Sequence, residues 1–197
     1  MSEPAPTGIE ATRRRLTEKQ ADTVDRLTVA AVEVLARAGY SGTTIRLVAA
    51  AAGVGTATAY TYFSSKEHLI SEVFWRRLIA LPYLDDQDAD PTTRVVAVLR
   101  RVSMLVADEP ALAGAVSSAL LGDDPDVRHL RLRIGKEIRH RLALALGTKD
   151  PEQLAALELL YSGALLQGGM GLLSYAEVAD LLEVCARRML AEPTPGD

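Results

Sequence analysis

From Thr17 onward, apolar residues recur at spacings of three and four. Val24, Leu27, Ala31, Val34 and Ala38 trace one face of a helix whose start is signalled by Thr17 and Glu18 and whose stop is Gly39. Ser41-Gly42 reads as a turn, after which Thr43 or Thr44 caps a short helix from Ile45 to Ala52 that ends at Gly53. A second short helix covers Thr56 to Tyr62, and Ser64-Ser65 caps a longer amphipathic one from Lys66 to Leu81. The rest of the chain is punctuated by an acidic residue followed by proline, a pairing suited to the first turn of a helix. Asp90-Pro91 opens a helix to Ala107, Glu109-Pro110 one to Leu121, Asp124-Pro125 one to Leu146 and Asp150-Pro151 one to Leu173. A last helix runs from Tyr175 to Leu190, which makes nine in all. Alternating Val/Ile/Thr runs of strand type are absent from the sequence, so the pattern predicts an all-α fold.

Composition narrows the picture. The chain has 197 residues, 48% of them hydrophobic, enough to bury a core. The single cysteine, Cys185, rules out an internal disulfide framework and a cysteine-built zinc site; the expected location is the cytoplasm. The most apolar segment, Leu154 to Leu173, holds Glu158, Gln167 and several glycines, and reads as a buried interface helix rather than a membrane span. A net charge of -4 runs against phosphate binding, but its distribution does not. Residues 1–70 carry eight Lys/Arg against seven Asp/Glu, so the remainder holds fourteen against nineteen. A small basic face at the N-terminal end is therefore compatible with nucleic acid. Catalysis is not expected. The three histidines are scattered, and HExxH, GxSxG and phosphate-loop patterns are missing, so neither a metal site nor a cofactor is anticipated.

The segment from Gly39 to Leu69 carries the chemistry. Two short helices flank a glycine turn, and small apolar residues at Val48, Ala49 and Ala52 let the first pack closely on the second, the arithmetic of a helix-turn-helix. Gly53 supplies the positive φ of the tight turn, and Val54 plugs it into the core. The second helix presents Gly55, Thr56, Ala57 and Thr58, a face small enough to approach base edges. Tyr60 and Tyr62 add phenolic hydroxyls and Lys66 a cation at the start of the next helix, while His68 reads as a solvated residue.

Thr43-Thr44, Ile45, Arg46, Val48-Ala49, Ala52-Gly53-Val54, Tyr60, Tyr62-Phe63, Lys66 and Leu69 stand in the order and spacing of the TetR family of repressors, which the first 70 residues resemble. The resemblance implies a domain order. A disordered basic arm spans 1–16, a helix-turn-helix DNA-binding domain 17–64, a helical ligand-binding and dimerisation domain 65–190, and a disordered tail 191–197. It also implies roles: Thr43 or Thr44, Thr58, Tyr62 and Lys66 touch phosphate, while Arg46, Thr56, Ala57 and Tyr60 lie nearest base edges. Gly55 and Thr56 depart from the Ser or charged residue that usually starts the recognition helix, which leaves discrimination to Arg46, methyl contacts and DNA shape.

On this resemblance the partners are a palindromic double-stranded operator, a second copy of the chain, and a small effector of lipid-like or acyl-CoA type, with no membrane. The last two helices would form the dimer interface. Small residues at Ser162, Gly163, Gly168, Gly169 and Gly171 and the stripe Val178, Leu181, Leu182, Cys185 and Met189 suit close helix pairing. The helix from Val127 to Leu146 carries the apolar stripe Val127, Leu130, Ile134, Ile138 and Leu142, flanked by Arg128, Arg131, Arg133, Lys136, Arg139 and Arg141. These cations are either a solvated face or a rim for a phosphate-bearing or carboxylate ligand. The block from Glu109 to Asp124 resembles regulators of lipid and sterol catabolism in actinobacteria. Spacing nominates Trp75, Leu78, Met104, Ser117, Leu121, Tyr161 and Leu165 as pocket walls. The alternative is a DNA-binding regulator or activator without an effector.

Overall fold

The computed structural model describes residues 17–84, 88–148 and 150–191. The expected arm 1–16, with its three arginines, and the tail from 192 onward lie outside them; Ala191 is the C-cap of the last helix. Among the described residues the chain forms nine α-helices and a one-turn 3₁₀ segment at Met104–Val106. The helices are α1 (Glu18–Gly42), α2 (Ile45–Ala51), α3 (Thr56–Tyr62), α4 (Lys66–Ala80), α5 (Pro91–Ser103), α6 (Pro110–Leu120), α7 (Pro125–Leu146), α8 (Pro151–Gly169) and α9 (Tyr175–Leu190). Among the described residues no strand occurs.

The starts follow the chemistry of the caps. Thr17 accepts from the Gln20 N–H while the Gln20 side chain accepts from the Thr17 N–H, so the partner in the capping box is Gln20. Asp90, Asp124 and Asp150 cap α5, α7 and α8 ahead of a proline at the first position. The ends depart further from expectation. Gly39 breaks the regular helix with φ +66°, and α1 resumes to Gly42; Ala38, predicted as core, is exposed. Helix α5 gives way to the 3₁₀ turn at Met104, and α8 stops at Gly169 because Gly171 turns with φ +72°.

Helix α4 is the hub. It packs against α1, α6 and α7, and every residue from His68 to Trp75 is buried. Around it, α5 packs against α7 and most extensively against α9, while α8 lies on α6 and α9. The α7 stripe Val127, Leu130, Ile134, Ile138 and Leu142 is buried throughout. Gly169 marks the closest approach of α8 to α6: a Cβ there would stand 2.0 Å from Ser117 Oγ and 2.3 Å from Ser117 Cβ, so only glycine fits this crossing.

Candidate nucleic-acid interface and cavity

The two short helices are held by three devices. Thr44 is the N-cap of α2, its hydroxyl accepting from the Leu47 N–H at 3.2 Å. Thr43 is buried and donates its hydroxyl to the Gly39 carbonyl at 2.7 Å, tying α2 to the break in α1. Of the threonine pair, therefore, only Thr44 is on the surface. At the turn, Gly53 has φ +62°, and the Arg26 guanidinium donates to the carbonyls of Ala52 at 2.5 Å and Gly53 at 3.1 Å. Arg26 thus satisfies two carbonyls that the end of α2 leaves without helical partners. Sequence reasoning missed it, because one exposed arginine on α1 carries no signal of its distant partner.

Helix α3 buries only Ala59. Gly55, Thr56, Ala57, Thr58 and Tyr60 are exposed, Tyr62 is half-buried, and Arg46 is exposed on α2, so each of these expected residues is at least partly accessible. Tyr60 is 50% exposed and is no core tyrosine. Lys66 is half-buried and already engaged: its ammonium donates to the Tyr40 carbonyl at 2.9 Å and lies 4.2 Å from the centre of the Tyr40 ring. The Tyr40 hydroxyl donates to Glu67 at 2.9 Å, and burial together with that hydrogen bond pushes its pKa up to about 12. This frame fixes the lysine at the start of α4.

Behind the reader, the α6–α7 connection touches the α3–α4 junction. Ser64 donates to Asp124 at 2.8 Å, and His68 Nδ1 stands 3.6 Å from Asp126. His68 is fully buried, edge-on to Phe63, contrary to the solvated position expected of it; the first turn of α4 faces the α6–α7 corner rather than water. Burial works to raise the Asp124 pKa, but the Ser65 and Ser64 hydroxyls and the Asp126 and Val127 N–H groups outweigh it and hold the carboxyl low.

The same corner borders a cavity of about 590 Å³. Phe74, Val106, Val116, Ile134 and Ile138 give it an apolar wall, with Ser117 and Leu120 from α6, its C-cap Leu121, and Tyr161, Leu165 and Leu166 from α8. Ser117, Leu121, Tyr161 and Leu165 were expected there; Trp75, Leu78 and Met104 were too, and are corrections. Trp75 lies under the Arg133 guanidinium at 4.5 Å, Leu78 is fully buried in the core, and Met104 is 40% exposed on the 3₁₀ turn. Helical period could not choose among α4 residues because the helix is enclosed along this stretch; Phe74 is the one that faces the space. Of the six flanking cations on α7 only Arg131 lines the cavity, and it donates to the Gly122 carbonyl at 2.8 Å. Arg139 pairs with Glu158 at 2.7 Å, and Arg141 is buried on Glu137, the Leu81 carbonyl and the Tyr83 ring.

Helices α8 and α9 leave Leu159, Leu166, Leu181, Val184 and Met189 exposed, with Cys185 also exposed in the groove beside Gly163 and Leu181. Among the described residues no cluster of His, Cys, Asp and Glu could hold a metal ion, and no helix is long and apolar enough to cross a membrane.

Residues 27–73 match the family model for bacterial regulatory proteins of the tetR family. Over nearly its whole length the chain is also similar to an HTH-type transcriptional regulator of Mycobacterium tuberculosis, 41% identical over 201 residues that cover 99% of this chain and 92% of that protein. The chain belongs to the TetR family of transcriptional regulators. A more distant relative of this chain is the HTH-type transcriptional repressor KstR of Rhodococcus jostii, 25% identical over 85% of this chain and 82% of that one. In fold, this TetR-family chain is similar to a TetR transcriptional regulator from Rhodococcus sp. RHA1, with a TM-score of 0.73 and 24% identity over 90% of this chain and all of the other. It also shares its fold with FadR from Bacillus subtilis, solved in complex with stearoyl-CoA, with a TM-score of 0.62 and 18% identity over 85% of this chain and 99% of that one.

Proposed function

We propose that this regulator is a repressor that binds a palindromic operator as a homodimer and is released when a small apolar effector, of acyl or acyl-CoA type, enters the cavity between α4, α6, α7 and α8. One observation carries the reading: a largely apolar cavity of about 590 Å³ and the junction that follows α3 are joined by the short segment from Leu121 to Asp124. Leu121 lines the cavity, Gly122 holds Arg131 from its wall, and Asp124 accepts from Ser64 next to α3. The volume falls within the roughly 300–1,000 Å³ of small-molecule sites. A ligand that displaces Leu121 or draws Arg131 away from Gly122 moves the segment leading to Asp124, and with it the end of the recognition helix. In a dimer this changes the spacing of two readers that must enter successive major grooves.

The repressor sense is supported by the name of the KstR relative, and the acyl-type effector by the stearoyl-CoA of the FadR fold neighbour. The dimer is supported by the exposed leucines of α8 and α9 flanking Gly163, a surface that a second copy would cover. Arg46, Thr56, Ala57 and Tyr60 read base edges; Thr44, Thr58, Tyr62 and Lys66 position the backbone. An operator selected in vitro from random duplexes and followed by fluorescence anisotropy tests the reading. Added lauroyl-CoA should weaken binding at least fivefold, the lower end of ordinary allosteric coupling. Unchanged affinity with lauroyl-CoA, free laurate and the corresponding alcohol would favour a regulator without an effector.

A further inference from the structure

We infer that the cavity selects an apolar molecule carrying an uncharged oxygen acceptor, a carbonyl or hydroxyl, and that Tyr161 on α8 is the residue that recognises it; this rests on the cavity being the effector site. Tyr161 is 4% exposed, belongs to the cavity wall, and its hydroxyl has no hydrogen-bond partner among the described residues. The nearby phenol of Tyr175 donates to the Ala113 carbonyl at 3.1 Å and makes no hydrogen bond with Tyr161. A buried hydroxyl that makes no hydrogen bond forfeits its water without recompense, and a phenylalanine would fill the same ring volume without that cost. The packing therefore gives no reason for the oxygen, whereas a ligand acceptor does. Burial, and to a lesser degree Tyr175, drive the Tyr161 pKa well above the ordinary tyrosine value, so the phenol remains a donor.

Two charged side chains line the cavity and both are engaged within the protein, Arg131 with the Gly122 carbonyl at 2.8 Å and Glu158 with Arg139 at 2.7 Å, so neither is left to balance a ligand charge and a neutral acceptor is favoured. Glu158 lines the same cavity one helical turn before Tyr161, and the Arg139 that pairs with it is outside the lining. A ligand carboxylate beside Tyr161 would lose its hydration and meet that like charge. A ketone, ester, thioester or alcohol oxygen meets neither penalty. On α7, Gly135 lines the cavity and a Cβ there would meet nothing within 4 Å, which leaves room for hydrocarbon.

The test uses the full-length protein, 2-decanone, decanoate and lauroyl-CoA, with binding read by calorimetry and operator affinity by anisotropy. The wild type should bind 2-decanone at least tenfold more tightly than Tyr161→Phe does, and more tightly than it binds decanoate. Tyr161→Phe should melt at or above the wild-type temperature without ligand, which separates recognition from a folding defect. Gly135→Phe, which places a ring in the open space, should abolish binding of the ketone. Equal ketone affinity in wild type and Tyr161→Phe would overturn the role of Tyr161, while leaving the effector reading intact if the ketone or lauroyl-CoA still weakens operator binding. Preference for decanoate over the ketone would overturn the neutral-acceptor assignment. Failure of all three compounds to bind or to alter operator affinity would overturn both readings.

Discussion

At the scale of single residues, Arg46 and Lys66 should behave differently on DNA. Arg46 is exposed on α2, so Arg46→Ala should cost about 1–3 kcal/mol on the selected operator and relax discrimination locally, with little loss on random duplex. Lys66→Ala should weaken both DNAs alike and reduce the salt slope by about one phosphate, as measured by anisotropy from 50 to 200 mM salt. Equal losses on operator and random DNA for Arg46→Ala would remove it from the base edge. A second contrast concerns glycine. Gly169→Ala should destabilise by about 1–3 kcal/mol in urea unfolding, because its Cβ would fall 2.3 Å from Ser117 Cβ and overpacking outweighs the gain in helix propensity of about 1 kcal/mol. The exposure of Thr56, Ala57, Thr58 and Tyr60 was legible from residue type and spacing alone, since they lie outward on a helix that buries only Ala59. What spacing could not tell is where a side chain goes when two neighbours are equivalent by period. Thr43 and Thr44 could each have capped α2, and it is the Gly39 carbonyl, which accepts from both the N–H and the hydroxyl of Thr43, that draws the first inward. Trp75 and Phe74 are adjacent on an enclosed helix, and which one meets the cavity depends on neighbours from α6 and α7 that lie far away in sequence.

At the scale of elements, helix starts were more legible than helix ends. Asp-Pro at α5, α7 and α8 combines a side-chain cap with a preset φ, both local properties, whereas the end of α8 is decided by Gly171 among several glycines and the end of α5 by a tightening into a 3₁₀ turn. The link between α3 and the α6–α7 corner had no local signature, because Ser64 and Asp124 are sixty positions apart. This link gives two expectations. Ser64→Ala leaves Asp124 capping α7 but removes one of the two serine hydroxyls, Ser64 and Ser65, that tie it to the junction. The ratio of operator affinities without and with lauroyl-CoA should therefore fall toward one, and an unchanged ratio would take the link out of the coupling. The second is a pH effect. Asp124 has a folded pKa below its ordinary value, so its contribution to stability is fully present above about pH 4 and is lost as pH falls through the folded value. Asp124→Asn should flatten that acid limb in urea midpoints measured between pH 5 and pH 2.5, and an unaltered limb would assign the acid sensitivity to other carboxylates.

At the scale of the whole molecule, the proposed repressor depends on two copies held at a fixed separation, because one seven-residue recognition helix reaches few base pairs. Leu181 is 48% exposed in the groove between α8 and α9, and Leu181→Glu should shift sedimentation at micromolar protein from dimer to monomer and weaken operator binding with it. A wild-type protein that sediments as a monomer with and without operator would remove the dimer from the scheme. The central claim is that the cavity and the reading surface report on one equilibrium. Coupling between two binding sites is reciprocal, so an effector that weakens operator binding must bind more weakly to the operator complex than to the free protein, typically by about 1–3 kcal/mol. Calorimetric titration of lauroyl-CoA into free protein and into the preformed operator complex measures this directly. The expected result is a dissociation constant at least fivefold larger for the complex; equal constants in the two titrations would contradict control of DNA binding through the cavity.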